Sequence, residues 1–280
     1  MERGLPAAST VTTAVGMAVR APSAHNFQPW RFAVGYRSLH LFADSSRHPA
    51  ETGSDRRDRV ISCGAALHHL RIAFAALGWH AEAHRLPDPA EPDHLAAVEL
   101  HRHEPTLDEV ALAAAIPLRR TDRRRHSSWR VPRGHLENIA EAVADEGVVL
   151  CEAEDAERCY LAGAIEEARS AAVEDDETVL LVLGTASDDR MSRLRAGEAT
   201  SAALLTATRF GLASCPLTEP LELPDVRRTV EERVSPGAFP QLVLCIGWAP
   251  ANADPLPATP RYSVDDVLEP LEAARVHQPS

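Results

Sequence analysis

The chain has 280 residues, 45% of them apolar, and a formal charge of −12 at pH 7 from 41 acidic and 29 basic side chains. That length can bury a sizeable core as one large domain or two fused smaller ones. No run approaches the roughly 18 uninterrupted apolar residues of a membrane span, and the acidic balance disfavours general nucleic-acid binding. From the N-terminus, MERGLPAASTVTTAVGMAVRAP lacks the basic segment and compact apolar core of a signal peptide. Within it, residues 8–19 carry an alanine-rich amphipathic pattern that predicts a helix. The next segment, APSAHNFQPWRF (21–32), sets Ser23, His25, Asn26 and Gln28 between Pro22 and Pro29. Each proline fixes its own φ and biases the residue before it toward extended geometry. The segment is therefore a shaped loop that offers amide and hydroxyl groups.

SLHLFAD near residue 40 predicts a strand, and SSRHPAETGSDRRD (45–58) a polar loop. In residues 56–93, Leu67, Leu70, Phe74 and Leu77 recur at helical spacing, with Gly78 as the stop. Of the adjacent His68 and His69, one is expected to face the core and one solvent. HLAAVELH predicts a strand, and HRHEP (101–105) reads as its end rather than as a ligand set.

PLRRTDRRRHSSWR (117–130) then gathers Arg119, Arg120, Arg123, Arg124, Arg125 and Arg130. The chain contains no lysine, so an anion site must be built from guanidinium forks or backbone amides. Helices are expected at 134–145 and 156–172, and strands in GVVLCEA near 150 and TVLLVLG near 180. Residues 190–225 repeat the pattern of 56–93. Arg57 stands seven positions before Gly64, as Arg190 does before Gly197, and fourteen positions separate Gly64 from Gly78 and Gly197 from Gly211. LPDPAE is matched by LTEPLE, and HLAAVELH by FPQLVLCIGWA. Four matches in one order argue for a duplicated helix, turn and strand. The proline-dense 249–266 is expected to run extended over the surface. Cys63, Cys151, Cys159, Cys215 and Cys245 are odd in number and fit no metal or redox spacing. They read as buried thiols of a reducing cytoplasm. The expected class is α+β, with a first half at 1–112 and a second at 113–280.

PSAHNFQPW resembles the P-S-x-x-N-x-Q-P-W loop of the nitroreductase family of FMN enzymes, and RRTDR resembles that family's R-x-S-x-R phosphate motif. With SCGAALHHLRIAFAALGW, DDRMSRLRAGEA, PLTEPLE and TPRYSVDDVL, the chain is similar to the Acg-type branch, over about residues 8–270. In that branch one chain holds two fused nitroreductase-like halves. The resemblance implies a nitroreductase-like fold of two pseudo-symmetric halves forming an internal dimer, with FMN between them and a monomer sufficient. It implies phosphate and ribityl contacts from Arg119, Thr121 and Arg123, and a ring-side loop of Pro22, Ser23 and Asn26 supported by Gln28 and Trp30. It further implies flavin N5 contacts from the backbone at Leu217 and Thr218, and an approach of Arg261 to the phosphate. An R-x-T-x-R spacing can converge two forks and a hydroxyl on one phosphate monoester. The second half's counterpart of the amide loop, DEGVVLCEA, lacks the Ser-Asn-Gln set, and only Arg3 lies in the first eighteen residues. One complete FMN site per chain is expected.

Catalysis would fall to the flavin. NADH or NADPH passes hydride to it and leaves, and a nitroaromatic, quinone or other small conjugated acceptor follows, without a metal or a protein nucleophile. His25 is the nearest ionisable candidate for a substrate contact. Two other readings suit the same residues: an FMN-storing protein with little turnover, and a biosynthetic flavin-dependent dehydrogenase. Acg-type chains are usually longer, with a lid segment for which Glu166 to Thr185 is too short here, so an accessible flavin is expected. The partners expected are small molecules, with neither nucleic acid nor membrane.

Overall fold

A computed structural model describes residues 5–47, 52–168 and 177–271. They form two units, one of residues up to Pro117 together with those from Pro260 onward, the other of Leu118–Thr259. The first unit begins with α1 (Ala8–Ala18), which buries Val11, Ala14, Val15 and Ala18. β1 (Trp30–Val34) and β2 (Ser38–Ala43) form an antiparallel pair. α2 (Gly53–Ala76) starts at a capping box, in which Thr52 Oγ1 accepts from Asp55 N at 3.2 Å and Asp55 Oδ2 accepts from Thr52 N at 2.9 Å. The polar loop expected over 45–58 therefore gives way to helix at Gly53; residues 48–51 lie outside the described residues.

Leu67, Leu70 and Phe74 are fully buried on α2, whereas Leu77 lies beyond the last helical residue and is 37% exposed. Gly78 follows at φ +85°, a left-handed stop that suits glycine. The expectation that His68 and His69 face opposite ways is corrected: both are buried, because α1, α3 and the strands pack around more than one side of α2. β3 (Trp79–Arg85) and β4 (His94–Arg102) complete an antiparallel run in the order β3-β4-β2-β1, and α3 (Leu107–Ala115) follows. β3 alternates buried Trp79 and Ala81 with exposed His80 and Glu82, as a strand with one wet face should.

The second unit contains α4 (Arg133–Asp145), β5 (Val149–Glu152), α5 (Asp155–Glu167), β6 (Val179–Thr185) and α6 (Arg190–Arg209). β7 (Ala213–Leu217), α7 (Pro224–Arg233) and β8 (Phe239–Gly247) follow. Of the helix expected at 156–172, the part from 169 lies outside the described residues. The sheet order is β5-β6-β8-β7, with every neighbouring pair antiparallel. The strands preceding and following α6 are thus ordered as those around α2 are, and Gly211, at φ +76°, ends α6 as Gly78 ends α2. The duplicated pattern of the sequence is a duplicated topology, into which the second unit inserts α5 and α7. β6 and β8 are the inner strands of their sheet and are buried along nearly their whole length, which explains their continuous apolar runs.

The chain then returns to the first unit, where β9 (Leu268–Pro270) pairs in parallel with β1, Phe32 opposite Leu268. Arg31 also pairs with Glu269. The structural division consequently differs from 1–112 and 113–280 in two ways. It falls between Pro117 and Leu118, and the tail from Pro260 joins the first unit because β1 offers an edge for main-chain pairing. None of the five cysteines is in a disulfide. Cys63, Cys215 and Cys245 are buried as expected, but Cys151 is half-buried and Cys159 is exposed, on one turn of the amphipathic α5. Among the described residues no helix is long and apolar enough to cross a membrane, and no three metal-ligating side chains cluster.

Candidate functional site

In the first unit, the loop between α1 and β1 holds three non-glycine residues in the left-handed region: His25 (φ 48°), Asn26 (φ 59°) and Gln28 (φ 52°). Each costs on the order of 1–3 kcal/mol and persists only where its surroundings impose it. Here they do. Ser23 Oγ accepts from Gln28 N at 3.0 Å, and Ser62 Oγ on α2 accepts from Ala24 N at 3.2 Å. Buried Gln28 accepts from Tyr262 N at 2.9 Å through Oε1. Asn26 donates Nδ2 to the Pro260 carbonyl at 3.2 Å and accepts from Arg261 Nη1 at 2.7 Å. Arg261 Nη2 reaches the Ala21 carbonyl at 3.3 Å. Arg261, expected beside a phosphate, is placed on this loop and closes it. Pro22 and Trp30 are buried at its ends, and His25 is exposed with its ring edge-on to Phe27.

In the second unit, residues 119–123 are in neither helix nor strand. Two backbone bonds pin the arginine segment to the sheet: Asp122 N donates to the Ser214 carbonyl on β7 at 2.9 Å, and Ser127 N to the Trp248 carbonyl after β8 at 2.8 Å. His126 packs directly on Gly247, where an added Cβ would lie 2.5 Å from its Nδ1. Arg119 is buried, with Nη1 3.4 Å from Thr121 Oγ1. Arg123 is half-exposed, with Nη2 3.5 Å from Glu219 Oε1. The other Glu219 oxygen accepts from Thr218 N at 3.0 Å, and Leu217 is fully buried at the end of β7. The pinning to β7 thus brings Arg119, Thr121 and Arg123 into the same region as Leu217 and Thr218.

The electrostatics separate the arginines. Burial pushes the Asp122 carboxyl up, but the Arg124 fork, at 2.9 and 2.8 Å, outweighs it and holds the group below its ordinary range. Arg124 is committed to that pair. Burial pushes the Cys215 thiol up to about 12, with Arg123 pulling the other way, so Cys215 is a neutral thiol and not a nucleophile. Arg119, Thr121 and Arg123 present two guanidinium groups and a hydroxyl, donor types suited to a dianionic phosphate monoester. Sequence reading passed over Ser62, Glu219, His126 and Gly247. Glu219 could have been noticed in LTEPLE; the others carry no local signal. Gly247→Ala is expected to lower unfolding stability by about 1–3 kcal/mol, because the new methyl must displace His126. An unchanged urea midpoint would contradict the close approach.

No protein-family model matches the chain. It is 41% identical over 322 residues to the Mycobacterium tuberculosis (strain ATCC 25618 / H37Rv) protein named "Putative NAD(P)H nitroreductase Rv3131", covering 96% of this chain and 94% of that one. It is 33% identical over 313 residues to "Putative NAD(P)H nitroreductase acg" of the same strain, covering 92% and 95%. The first alignment spans 322 positions against 280 residues here, a difference of 42, so that relative carries at least 42 residues without a counterpart. Of Glu166 to Thr185, the segment expected to be too short for a lid, residues 169–176 lie outside the described residues. Among solved structures, a nitroreductase of Anabaena variabilis ATCC 29413, so described only provisionally, aligns with a TM-score of 0.63 at 8% identity. It covers 86% of this chain and 88% of that one, a likeness of fold.

Proposed function

Because this chain belongs to the nitroreductase family, in the branch that includes Acg, we propose that it is an FMN-dependent NAD(P)H oxidoreductase that reduces small conjugated acceptors such as nitroaromatics or quinones. The observation that carries this reading is the donor set of Arg119, Thr121 and Arg123 beside the end of β7. In the proposal Arg119 and Arg123 hold the FMN phosphate with Thr121, and the backbone of Leu217 and Thr218 faces the ring. Pro22, Ser23 and Asn26 lie along the ring, and Gln28 fixes their loop. FMN, when bound, supplies the hydride-accepting and hydride-donating chemistry.

The chain's own task is placement. Asn26 is held from both ends of its amide by the 260–261 segment, so its position is set before any ligand arrives. Arg261 acts on the reaction through Asn26, as a positioning residue. His25, exposed at the loop tip, is available to a substrate. In the proposal the flavin carries the chemistry without a protein nucleophile, and donor and acceptor use the site in turn.

Anaerobic NADH or NADPH is expected to bleach the flavin absorbance of the purified protein, and a quinone or nitroaromatic to restore it, with parallel-line steady-state kinetics. Asn26→Ala is expected to slow bleaching about tenfold or more while FMN content stays near that of the wild type. Bleaching by dithionite but by neither nicotinamide within minutes would replace the catalytic reading with flavin storage.

A further inference from the structure

The sheet of the first unit carries a row of polar side chains that the flavin proposal does not use. Ser38 and His40 stand two residues apart on β2 and so share a face of the sheet. Ser38 Oγ lies 2.8 Å from His40 Nε2, and His40 Nδ1 lies 3.0 Å from Nε2 of His94 on β4. Beyond it, Glu91 Oε2 stands 3.7 Å from His94 Nδ1. We propose that Ser38 is the nucleophile of an esterase-type site, with His40 as its general base, and that this site hydrolyses small activated carboxylic esters.

The order of the groups sets the direction of the protons. The Glu91 carboxylate favours the His94 proton on Nδ1, the nitrogen nearer to it. His94 Nε2 then accepts from His40 Nδ1, and His40 Nε2 accepts from the Ser38 hydroxyl, which is the protonation a nucleophile and its base require. The far end of the row is rigid: the His94 side chain is 5% exposed, and its ring stacks on that of Phe42, its cross-strand neighbour, at 4.5 Å between centroids. The near end is open. Ser38 and His40 are half-buried, and Tyr36 in the adjoining turn is 96% exposed. Gly35 keeps the space beside His40 Nε2 clear, since an added Cβ would lie 3.1 Å from that nitrogen. In the reaction Ser38 Oγ bonds to the ester carbonyl carbon as its proton passes to His40 Nε2, and the aryloxide leaves with the bonding electrons and takes up that proton. Water repeats the sequence: it gives a proton to His40, bonds to the acyl carbon and displaces Ser38 Oγ, which recovers the proton. Ester and water thus give acid and phenol. At so open a position solvent stabilises the oxyanion, less well than a preorganised donor pair, which restricts the reaction to esters with a good leaving group. This inference goes beyond the flavin reading and does not depend on it.

Incubation of the full chain with 4-methylumbelliferyl acetate, an aryl ester that is not a nitroaromatic, tests it without flavin chemistry. Acid quenching and peptide mapping by mass spectrometry are expected to show Ser38 acetylated at least about a hundredfold faster than the exposed Ser45 of the same chain. Release of 4-methylumbelliferone is expected to continue well beyond one per chain. His40→Gln is expected to slow acetylation of Ser38 by about a hundredfold or more with unchanged circular dichroism. His94→Leu is expected to slow it by about tenfold, and His94→Gln, whose amide oxygen can accept from His40 Nδ1, to recover most of that loss. The proposal is overturned by acetylation of Ser38 no faster than that of Ser45, by release that stops at one per chain, or by a wild-type rate in folded His40→Gln or His94→Leu. The comparison of Ser38 with Ser45 uses the wild-type chain, so it decides even where a variant fails to fold.

Discussion

Replacing Arg119 and Arg123 together by Ala is expected to give a folded protein that purifies almost free of flavin. A charge-assisted hydrogen bond contributes about 1.5–3 kcal/mol, so losing both forks removes roughly 3–6 kcal/mol of binding, or about two to four decades in Kd. Folding should survive, because main-chain bonds from Asp122 N to Ser214 and from Ser127 N to Trp248 anchor the segment and need neither side chain. Arg130→Ala serves as the control for loss of positive charge in general. Its side chain is 86% exposed and pairs with Glu177 at the surface, so flavin content should not change. The ratio of flavin to protein absorbance after gel filtration measures both variants, and titration of the wild-type apoprotein should end at one FMN per chain. Undiminished flavin in the double variant would overturn the phosphate assignment of Arg119 and Arg123.

On the acid side of neutrality the protein is expected to lose stability before its carboxylates begin to titrate. His68 lies wholly inside α2's packing, and burial first, then the neighbouring Arg71, lowers its pKa from 6.5 to about 3. Between those values the unfolded chain takes up a proton that the folded chain refuses. The stabilisation from a neutral His68 is therefore complete above pH 6.5 and is lost as pH falls toward 3. At about 1.36 kcal/mol per pH unit, the loss by pH 4.5 is roughly 3 kcal/mol. Glu109, Asp122, Asp188 and Asp189 have lowered pKa values in the folded chain. Their stabilisation is present above the ordinary carboxylate range and is lost only below it. Urea unfolding from pH 7 to 4.5 should show the wild type weakening, and His68→Gln should have a distinctly flatter profile. Parallel profiles for the two proteins would show that His68 is not the group responsible.

What the sequence determined by itself was whatever is encoded within a few residues. The spacing of Arg57, Gly64 and Gly78, repeated in Arg190, Gly197 and Gly211, carried the duplicated topology, because helix period and the left-handed stop are local properties. The apolar runs of β6 and β8 marked strands for the same reason, and their inner position in the sheet came from the structure. Two prolines and a set of amides marked the 22–29 loop as shaped, and the R-x-T-x-R spacing marked a candidate anion site. Only the tertiary structure decided what meets what across long separations. β9 is three residues long and contains Pro270, so it has no strand signal of its own; it exists because β1 leaves an edge to pair with. Arg261 closes on Asn26 from 235 positions away, a contact that no local pattern announces. His69 is buried and Cys159 exposed because the covering of a helix face depends on elements elsewhere in the chain. Gly247 must be glycine because His126 comes to rest on it. Local pattern sets the elements, and the surfaces that those elements present to one another assign each side chain its partner.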